Sequence, residues 1–449
     1  MNFEEYKKYI KGKKVGVIGL GRSNMPLISL LLSCGAAVTA CDKREDIGGN
    51  FENLKAEGVT LKLGENYLEG LNSEIVFHSP GVRPDLPQFE VLRKNGAKIT
   101  SEMDLFFELC PCEIFGVTGS DGKTTTTTLI YKMLQKAGYT CHLGGNIGRP
   151  LIGDIEKIKP EDKVIVELSS FQLFDMTHSP KTAVITNITP NHLDWHKDYD
   201  EYISSKKNIM RFQKPGDRFI VNLDNDITRR IGDETSAEKL GFSIDGAADI
   251  SLKNGIICVK GKKFLDSALI KIVGKHNIYN YMTAIAATLG YVSRDDVKYV
   301  AESFGGVEHR IELVRTLDGV KYYNSSIDSS PNRTKNTLSV FGKNVVLIAG
   351  GKDKGIPYDE VGAPICEHVK TLILIGKTSD KIEEAVKKYG KSNIPQIFRA
   401  DTYQNAVGLA RENAENGDVV VLSPASTSFD MFNNFEERGN LFKKLVCEL

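Results

Sequence analysis

The sequence lacks an excess of charge of either sign. Lysine and arginine total 58, aspartate and glutamate also total 58, and the formal net charge of the 449 residues is zero. A chain without a basic surplus is not drawn as a whole to the phosphate backbone of nucleic acids or to an anionic lipid surface. We therefore expect no nucleic-acid partner, although a local basic pocket for a small anion is compatible with this balance.

Long apolar runs are missing as well. No stretch of 18 consecutive apolar residues occurs, and residues 1–8 are charged and contain no apolar signal core. A helix needs about 20 mostly apolar residues to cross a bilayer, and a signal peptide needs an apolar core. The expectation is a cytoplasmic protein without a membrane span.

The eight cysteines lack the spacing of a zinc site. Only Cys110 and Cys112 lie close together, with one proline between them. Structural zinc sites usually pair cysteines with two to four residues between them. We interpret all eight as reduced thiols in a reducing compartment.

A glycine-containing loop is the strongest motif that is present. It follows the apolar run 114–117 and precedes the segment 124–136, which has apolar residues at helical spacing. In such a loop, backbone N–H groups and the helix N-terminus face phosphate oxygens, a lysine adds a positive charge, and a threonine hydroxyl suits Mg²⁺. Position 117 is valine where the full phosphate-loop pattern has glycine, so only the second half of the pattern is present. The loop consists of Gly119, Ser120, Asp121, Gly122, Lys123, Thr124 and Thr125.

The N-terminal region predicts a Rossmann-like unit. A strand at 14–19 runs into the glycine turn 19–21, a helix is predicted over 23–34, and a second strand ends on Asp42. An acid about 20 residues after such a turn is placed for a ribose or a base edge. Because Asn24 stands where the third glycine of a dinucleotide fingerprint belongs, another phosphate ligand such as a nucleotide diphosphate fits better. A packed unit without any ligand is the alternative.

The central region places polar side chains at the ends of apolar strands. Glu167 ends the strand 164–166, where a carboxylate is costly unless it is paired or metal-bound, and Mg²⁺ beside a phosphate loop is the obvious partner. His192 and His196 follow another strand with Asp194 between them, but no third histidine or thiolate follows at zinc spacing. We expect one histidine near a Mg²⁺-phosphate centre and a structural role for the other.

The last region predicts a second doubly wound sheet. Strand-like runs at 345–349, 372–375 and 419–423 alternate with helical stretches, which indicates parallel strands. Functional residues are expected in the loops that follow these strands, at 350–355 and 423–430. The chain is thus predicted to be an α/β protein of three domains, with boundaries at 1–101, 102–306 and 307–449.

Taken together, these motifs resemble those of the Mur ligases of peptidoglycan synthesis over nearly the whole chain. The run 422–439 and the triplet 79–81 are typical of the family member that adds D-glutamate. The other stretches that carry the resemblance are 119–125, 145–148, 167–173, 191–194, 276–280, 309–310 and 350–351.

The resemblance implies a fold and a reaction. The fold would combine a Rossmann-like N-terminal domain for the UDP-substrate, a central ATP-binding domain of the phosphate-loop type and a Rossmann-like C-terminal domain for the amino acid. The reaction would be an ATP-dependent ligation of D-glutamate to UDP-N-acetylmuramoyl-L-alanine through an acyl phosphate. Such an enzyme of cell-wall synthesis would be a cytoplasmic monomer.

The resemblance also assigns residues to roles. Lys123, Glu167, His192 and Lys206 would be catalytic, and the loop 119–125 would hold the ATP phosphates. Further ATP contacts would be Asn277, Asn280 and Arg310. Two Mg²⁺ ions would be bound by Thr124, Glu167, His192 and a carbamylated Lys206. The UDP-substrate would contact Ser23, Asp42, Ser79, Gly81 and Asn146. D-Glutamate would contact Ser329, Lys354, Ser428 and Phe435.

One departure and three alternatives remain open at the level of sequence. The family usually has Asn-Asp-Ser where this chain has Asn324-Ser325-Ser326, and Asp328 follows three residues after Ser325. Either Asp328 compensates for the missing acid or ATP binds more weakly. The alternatives are a sister ligase for another amino acid, an NAD-type oxidoreductase that uses the turn 19–21 and Asp42, and a non-catalytic substrate-sensing relative.

Overall fold

A computed structural model describes residues 1–46, 50–390 and 393–449. Within these residues, helices and strands alternate along the chain, and the strands form three sheets. This confirms the predicted α/β class. The chain divides into two compact units. The first comprises Met1–Leu269 and Lys275–Val300, and the second comprises Ile270–Gly274 and Ala301–Leu449.

The first sheet is built from the N-terminal hundred residues. Its strands are β1 (Lys14–Ile18), β2 (Ala37–Asp42), β3 (Thr60–Leu63), β4 (Ile75–His78) and β5 (Lys98–Ser101). They are all parallel, in the order β3-β2-β1-β4-β5. The accompanying helices are α1 (Phe3–Ile10), α2 (Asn24–Ser33), α3 (Asn50–Ala56), α4 (Pro87–Lys94) and α5 (Glu102–Leu109). Parallel strands end at the same edge, so the turn after β1 lies beside the ends of β2 and β4.

Local chemistry explains where these elements begin and turn. Helix α1 starts with a capping box, in which Asn2 accepts from the Glu5 N–H and the Glu5 carboxylate accepts from the Asn2 N–H. After β1 the chain turns at Gly19, which has a φ of 84°. A Cβ at Gly19 would lie 2.3 Å from the Ser79 Oγ. Only glycine therefore lets the turn approach the loop that follows β4.

The second sheet has nine strands. They are β6 (Glu113–Thr118), β7 (Cys141–Gly145), β8 (Lys163–Glu167), β9 (Thr182–Ile185), β10 (Arg218–Asn222), β11 (Glu238–Ser243), β12 (Ile250–Lys253), β13 (Ile256–Val259) and β14 (Lys262–Asp266). The order is β14-β13-β12-β11-β10-β9-β6-β8-β7. The pairs β12–β13 and β13–β14 are antiparallel, and the other neighbours are parallel. The helical elements of this region are α6 (Lys123–Lys136), η1 (Ile152–Lys157), α7 (Ser170–Leu173), α8 (Tyr199–Arg211), α9 (Asp226–Gly232), η2 (Ser267–Leu269), α10 (Lys275–Thr288) and α11 (Arg294–Ser303). Strand β6 lies between β9 and β8 and leads the chain into α6.

The third sheet has six strands. They are β15 (Glu312–Leu317), β16 (Val320–Asn324), β17 (Val345–Ala349), β18 (Val369–Ile375), β19 (Gln396–Ala400) and β20 (Val419–Leu422), in the order β15-β16-β20-β17-β18-β19. All neighbours are parallel except the hairpin of β15 and β16. Its helices are α12 (Pro331–Leu338), α13 (Asp359–His368), α14 (Ser379–Tyr389), α15 (Tyr403–Glu412) and α16 (Phe435–Glu448). The predicted strands of the last region are confirmed.

Apolar strands form the interior of each sheet. Strand β17 is buried at all five positions, as expected for a parallel strand covered on both faces. Across the parts of the chain that the structure describes, no helix combines the length and the apolar character needed to span a bilayer.

One carboxyl group is buried at the start of α5. Glu102 is 4% exposed, and its Oε1 has no hydrogen-bond partner. Burial raises the pKa of Glu102 to about 8, although a hydrogen bond from the Ile152 N–H opposes the shift. The side chain is therefore mostly protonated at neutral pH.

We predict that Glu102 weakens the fold as the pH rises. Its folded-state pKa lies above the value of 4.5 for an ordinary glutamate, so its contribution is complete below about pH 4.5 and is lost as the pH rises through about 8. Each pKa unit corresponds to about 1.4 kcal/mol. Between pH 6 and 9, the thermal unfolding midpoint of Glu102→Gln should fall less than that of the parent protein. Glu57→Gln, at an exposed position, is the control, and parallel curves for all three proteins would contradict the prediction.

Candidate active site

The predicted phosphate loop lies between β6 and α6. Gly122 precedes α6 with a φ of 79°, and a Cβ there would lie 2.4 Å from the Asn280 Oδ1. The Ser120 Oγ donates to the Thr189 carbonyl oxygen and hydrogen-bonds the Tyr202 hydroxyl, both at 2.9 Å. The loop is therefore fixed from two sides, and Tyr202 is a support that the sequence did not reveal.

Two lysine side chains meet at one carbonyl oxygen of this loop. The Nζ atoms of Lys123 and Lys206 donate to the Gly119 carbonyl oxygen at 3.0 and 2.8 Å. Lys206 is 2% exposed. Its burial, together with the positive charge of Lys123, holds the pKa of Lys206 well below the usual range of lysine. The Lys206 amine is thus more readily deprotonated than an exposed lysine.

A buried carboxylate lies beside the start of α6. The Glu167 Oε2 accepts from the Thr124 Oγ1 and its Oε1 accepts from the Asn146 Nδ2, both at 2.7 Å. Glu167 ends β8, which pairs with β6, and is 2% exposed. Both oxygens are therefore held by donors, which meets the cost of burying the group.

His192 approaches the same lysines from another loop. Its φ of 54° lies in the left-handed region, which is uncommon for residues other than glycine and concentrates at functional sites. Its ring packs edge-on against Phe171, with 5.0 Å between centroids. Burial, then the charges of Lys123 and Lys206, lowers the pKa of His192. A neutral imidazole is the form that binds a metal.

The two asparagines of α10 lie next to the phosphate loop. The Asn280 Nδ2 donates to the Asn277 Oδ1 at 2.9 Å, and the Thr126 Oγ1 donates to the Asn280 Oδ1 at 3.2 Å. Both amides are buried. Their position beside the loop agrees with the expectation that they face a nucleotide. Their mutual hydrogen bond also connects two successive turns of α10.

The edge of the first sheet carries four of the five residues predicted for the UDP-substrate, whereas Asn146 follows β7 and contacts Glu167. The Asp42 Oδ2 accepts from the Leu20 N–H at 2.7 Å, and the guanidinium of Arg44 binds both carboxylate oxygens at 2.8 and 2.9 Å. The hydrogen bonds from Arg44 lower the pKa of Asp42 to about 2. Sequence reasoning overlooked Arg44, which lies two residues after the acid and adds a positive charge to this edge.

The remaining residues of this edge surround the Gly19 turn. Ser79 lies against the turn, Ser23 immediately precedes α2, and Gly81 is exposed after β4. The Asn24 Nδ2 donates to the carbonyl oxygens of Ile18 and Gly19 at 3.1 and 2.9 Å. At the position of the third fingerprint glycine, a buried amide thus fixes the turn.

In the second unit, two residues predicted for D-glutamate are neighbours. The Lys354 Nζ donates to the Ser329 Oγ at 3.4 Å. Ser428 is buried after β20, and Phe435 is the first residue of α16. The loops after β16, β17 and β20 carry three of these four residues, as expected for the carboxyl ends of parallel strands.

A buried arginine connects these loops. Arg438 is 1% exposed. Its guanidinium donates to the Ser326 carbonyl oxygen at 2.7 Å, to the Ser326 Oγ at 3.0 Å and to the Ser426 carbonyl oxygen at 3.1 Å. The Ser326 Oγ donates in turn to the Phe435 carbonyl oxygen at 2.7 Å. The sequence contained this residue within a family motif but gave no sign of its role as a connector.

Asp328, the acid that follows Ser325, is buried. It is 5% exposed, and its Oδ2 accepts from the Ser423 Oγ and the Thr337 Oγ1, both at 2.7 Å. Burial raises its pKa despite these hydrogen bonds. The carboxyl group therefore connects the loop after β16 with α12 and with the residue that follows β20.

Arg310 and its neighbour lie in the loop before β15. The N–H of Arg310 donates to the Val307 carbonyl oxygen at 2.9 Å. His309 is buried with a φ of 62°, and its Nδ1 lies 3.0 Å from the Asn324 Nδ2. His309 therefore has a structural role at the end of β16.

The donor set also bears on metals. Within residues 1–46, 50–390 and 393–449, no group of three or more histidine, cysteine, aspartate or glutamate side chains could hold a metal ion. A zinc-type centre is therefore not formed by the described side chains. Thr124 and Glu167 instead offer oxygen atoms beside a phosphate loop, which is how Mg²⁺ is usually held together with substrate phosphates.

Three family models match successive parts of the chain. The Mur ligase MurD-like N-terminal domain matches residues 13–101, the Mur ligase middle domain matches residues 117–288, and the Mur ligase glutamate ligase domain matches residues 309–426.

Curated relatives are similar over their full length. A UDP-N-acetylmuramoylalanine–D-glutamate ligase of Ruminiclostridium cellulolyticum is 52% identical and aligns with 99% of each chain. A protein of the same name from Acetivibrio thermocellus is 50% identical over 98% of both chains. Another, from Clostridium botulinum strain Hall, is 47% identical over 100% of this chain and 99% of the relative.

Solved structures share the fold. The UDP-N-acetylmuramate–alanine ligase of Thermotoga maritima superposes with a TM-score of 0.59 at 18% identity, over 97% of this chain and 99% of that one. A pseudomurein peptide ligase of Methanothermus fervidus gives a TM-score of 0.53 at 16% identity, over 97% and 100%.

We predict that Arg438→Lys loosens the loops of the second unit. A lysine ammonium cannot reproduce the planar guanidinium, which donates hydrogen bonds to two carbonyl oxygens. Each buried acceptor that is left without a donor costs about 1–3 kcal/mol of stability. Hydrogen exchange should accelerate at 326–329 and 426–438, and the thermal unfolding midpoint should fall. Arg399→Lys, which alters an exposed ion pair, should change stability by less than about 0.5 kcal/mol. Unchanged exchange in Arg438→Lys would refute the connecting role.

Proposed function

The chain belongs to the Mur ligase family, and we propose that it is the member that joins D-glutamate to UDP-N-acetylmuramoyl-L-alanine at the expense of ATP. Full-length relatives of that name at 47–52% identity support the substrates. The observation that carries the reaction class is the loop at the start of α6, where Lys123, Lys206 and the pair Thr124–Glu167 converge.

The three parts of the chain would divide the work. The edge of the first sheet around Asp42 would hold the UDP-substrate, the loop at 119–125 with Asn277, Asn280 and Arg310 would hold ATP, and Ser329, Lys354, Ser428 and Phe435 would hold D-glutamate. Asn146 is a further contact for the UDP-substrate. We propose domains at 1–101, 102–306 and 307–449, and a monomer that works in the cytoplasm.

The reaction needs the carboxylate of the UDP-substrate to become electrophilic. A carboxylate repels an attacking amine and has no good leaving group, and transfer of the γ-phosphoryl group solves both problems by forming an acyl phosphate. Lys123 and the loop amides position the phosphates and neutralise their charge during transfer. The amine of D-glutamate then attacks the acyl carbon, and inorganic phosphate leaves from the tetrahedral intermediate.

We propose that this centre binds two divalent ions. Thr124 and Glu167 would hold one Mg²⁺, and His192 with a carbamylated Lys206 would hold a second. Bound Mg²⁺ would supply charge neutralisation at the transferring phosphoryl group. The buried Lys206 amine suits carbamylation, because an uncharged amine adds CO₂ and the resulting carbamate provides anionic oxygen ligands in place of a cation.

We predict that phosphate release from ATP depends on both proposed substrates. With UDP-N-acetylmuramoyl-L-alanine present, D-glutamate should stimulate release far more than L-glutamate, L-alanine or meso-diaminopimelate. Lys123→Met should lower the rate by at least about a hundredfold, because a charge that stabilises the transition state is lost. Stimulation by another amino acid would indicate a sister ligase, and none with any of them would indicate a non-catalytic relative.

We also predict that Lys206 carries a carbamate. Carbon-13 NMR of the protein with ¹³C-bicarbonate and Mg²⁺ should give a carbamate signal that disappears in Lys206→Arg. Lys207→Arg is the matched control, since Lys207 is the next residue on α8 and pairs with Glu234 near the surface. A signal that survives in Lys206→Arg would assign the carbamate elsewhere, and no signal in any protein would exclude it.

A further inference from the structure

Arg83 lies in the loop that follows β4, two residues after the predicted UDP-substrate contact Gly81. Its side chain is 17% exposed. The guanidinium packs on two aromatic rings, with 5.0 Å to the centroid of Phe174 and 4.7 Å to that of Trp195. A side chain held on both rings loses little further freedom when it forms hydrogen bonds.

The guanidinium forms a bidentate ion pair with Glu201 in the first turn of α8. Its Nη1 and Nη2 each donate to one carboxylate oxygen of Glu201 at 3.0 Å, and Nη1 also donates to the Trp195 carbonyl oxygen at 2.7 Å. On its other side, Nε and Nη2 bind the carboxylate of Asp85 at 2.9 and 2.7 Å. Bidentate arginine–carboxylate pairs fix geometry more strongly than a single charge contact does.

Glu201 transfers this constraint to the loop before α8. Its carboxylate accepts from the Lys197 N–H at 2.8 Å and lies 3.5 Å from the His196 Nδ1. The Glu201 N–H in turn is capped by Asp198 at 2.8 Å. The path from 195 to 201 is therefore fixed by one carboxylate that Arg83 holds in place.

This fixed segment lies between the two residues assigned to the second metal ion. His192 precedes it, and Lys206 follows on α8. Phe171 connects the parts, because its ring contacts His192 at 5.0 Å and Trp195 at 4.8 Å. A shift of the segment would therefore change the separation of His192 from Lys206.

We propose that Arg83 is a positioning residue that couples binding of the UDP-substrate to the second divalent-ion site. The loop that would contact the sugar nucleotide and the segment that would carry the metal ligands share Arg83 as a common anchor. Ordering either one orders the other, so each ligand should raise the affinity for the other by the same factor. This inference rests on the proposed function.

The test measures metal binding rather than turnover alone. Mn²⁺ is titrated by electron paramagnetic resonance in the presence of a non-hydrolysable ATP analogue, with and without UDP-N-acetylmuramoyl-L-alanine. In the parent protein the UDP-substrate should tighten Mn²⁺ binding. In Arg83→Gln, Mn²⁺ affinity should fall by at least about tenfold, as for other residues that orient metal ligands, and the UDP-substrate should no longer change it.

Two further variants separate positioning from folding. Arg83→Lys keeps the positive charge but cannot form the bidentate pair, so its Mn²⁺ affinity should lie between those of the parent and Arg83→Gln. Glu201→Gln should reproduce the loss, and the double variant should be no worse than either single one, because the two side chains act as one unit. Arg229→Gln, at an exposed ion pair on α9, is the control and should behave like the parent.

Hydrogen exchange on the ligand-free protein gives a second readout. Residues 191–203 should exchange faster in Arg83→Gln and Glu201→Gln, while α6 keeps its parental protection. If Arg83→Gln does not fold, Arg83→Lys and Glu201→Gln decide the matter. If the folded variants keep the parental Mn²⁺ affinity and the parental response to the UDP-substrate, the role of Arg83 is overturned and the proposed ligase function stands. If the parent protein shows no D-glutamate-dependent phosphate release, the proposed function itself is overturned.

Discussion

The carbonyl oxygen of Gly119 accepts hydrogen bonds from the amines of Lys123 and Lys206, and the centre of this protein depends on that shared contact. Two cationic groups at one oxygen repel each other, and the burial of Lys206 increases the cost of its charge. Both effects favour a neutral amine at Lys206 and an anion nearby. A phosphate chain on the loop and a carbamate on Lys206 are the two anionic groups that the proposed chemistry places there.

The carboxylates of the first unit follow a common rule. Glu167 and Asp42 each end a parallel strand, and each accepts hydrogen bonds from a loop residue, to which Thr124 at the start of α6 adds one for Glu167. The strands bring these groups to the edge where ligands bind in parallel sheets, and the hydrogen bonds offset the cost of burying them. Arg83 extends the same arrangement, because it joins the loop after β4 to the helix that carries Lys206.

In the second unit, Ser325 and Asp328 are the residues that depart from the family pattern. Ser325 is buried, and its Oγ accepts from the Ile311 N–H at 3.3 Å and lies 3.4 Å from the Thr337 Oγ1. Asp328 turns inward to the same threonine. The carboxyl group thus joins the loop after β16 to α12 and to the residue that follows β20.

The amino-acid sequence by itself determined the elements and their order. Alternating apolar runs and helical segments predicted the parallel sheets, and the loop at 119–125 was recognisable because strand, glycine and helix start are neighbours in the chain. Lys206 and Lys207 are adjacent on α8, and no local pattern tells their roles apart. Only the resemblance to a family distinguished Lys206 from Lys207.

Tertiary structure decided which side chains meet. The contact from Lys206 to Gly119 spans 87 positions, that from Arg83 to Glu201 spans 118, and that from Arg438 to Ser326 spans 112. No local pattern encodes such pairs, because they depend on how sheets and helices pack and on which polar groups packing leaves to be satisfied. The burial that lowers the pKa of Lys206 and raises that of Asp328 is likewise a property of the folded chain, since it arises only when other elements exclude water from these groups.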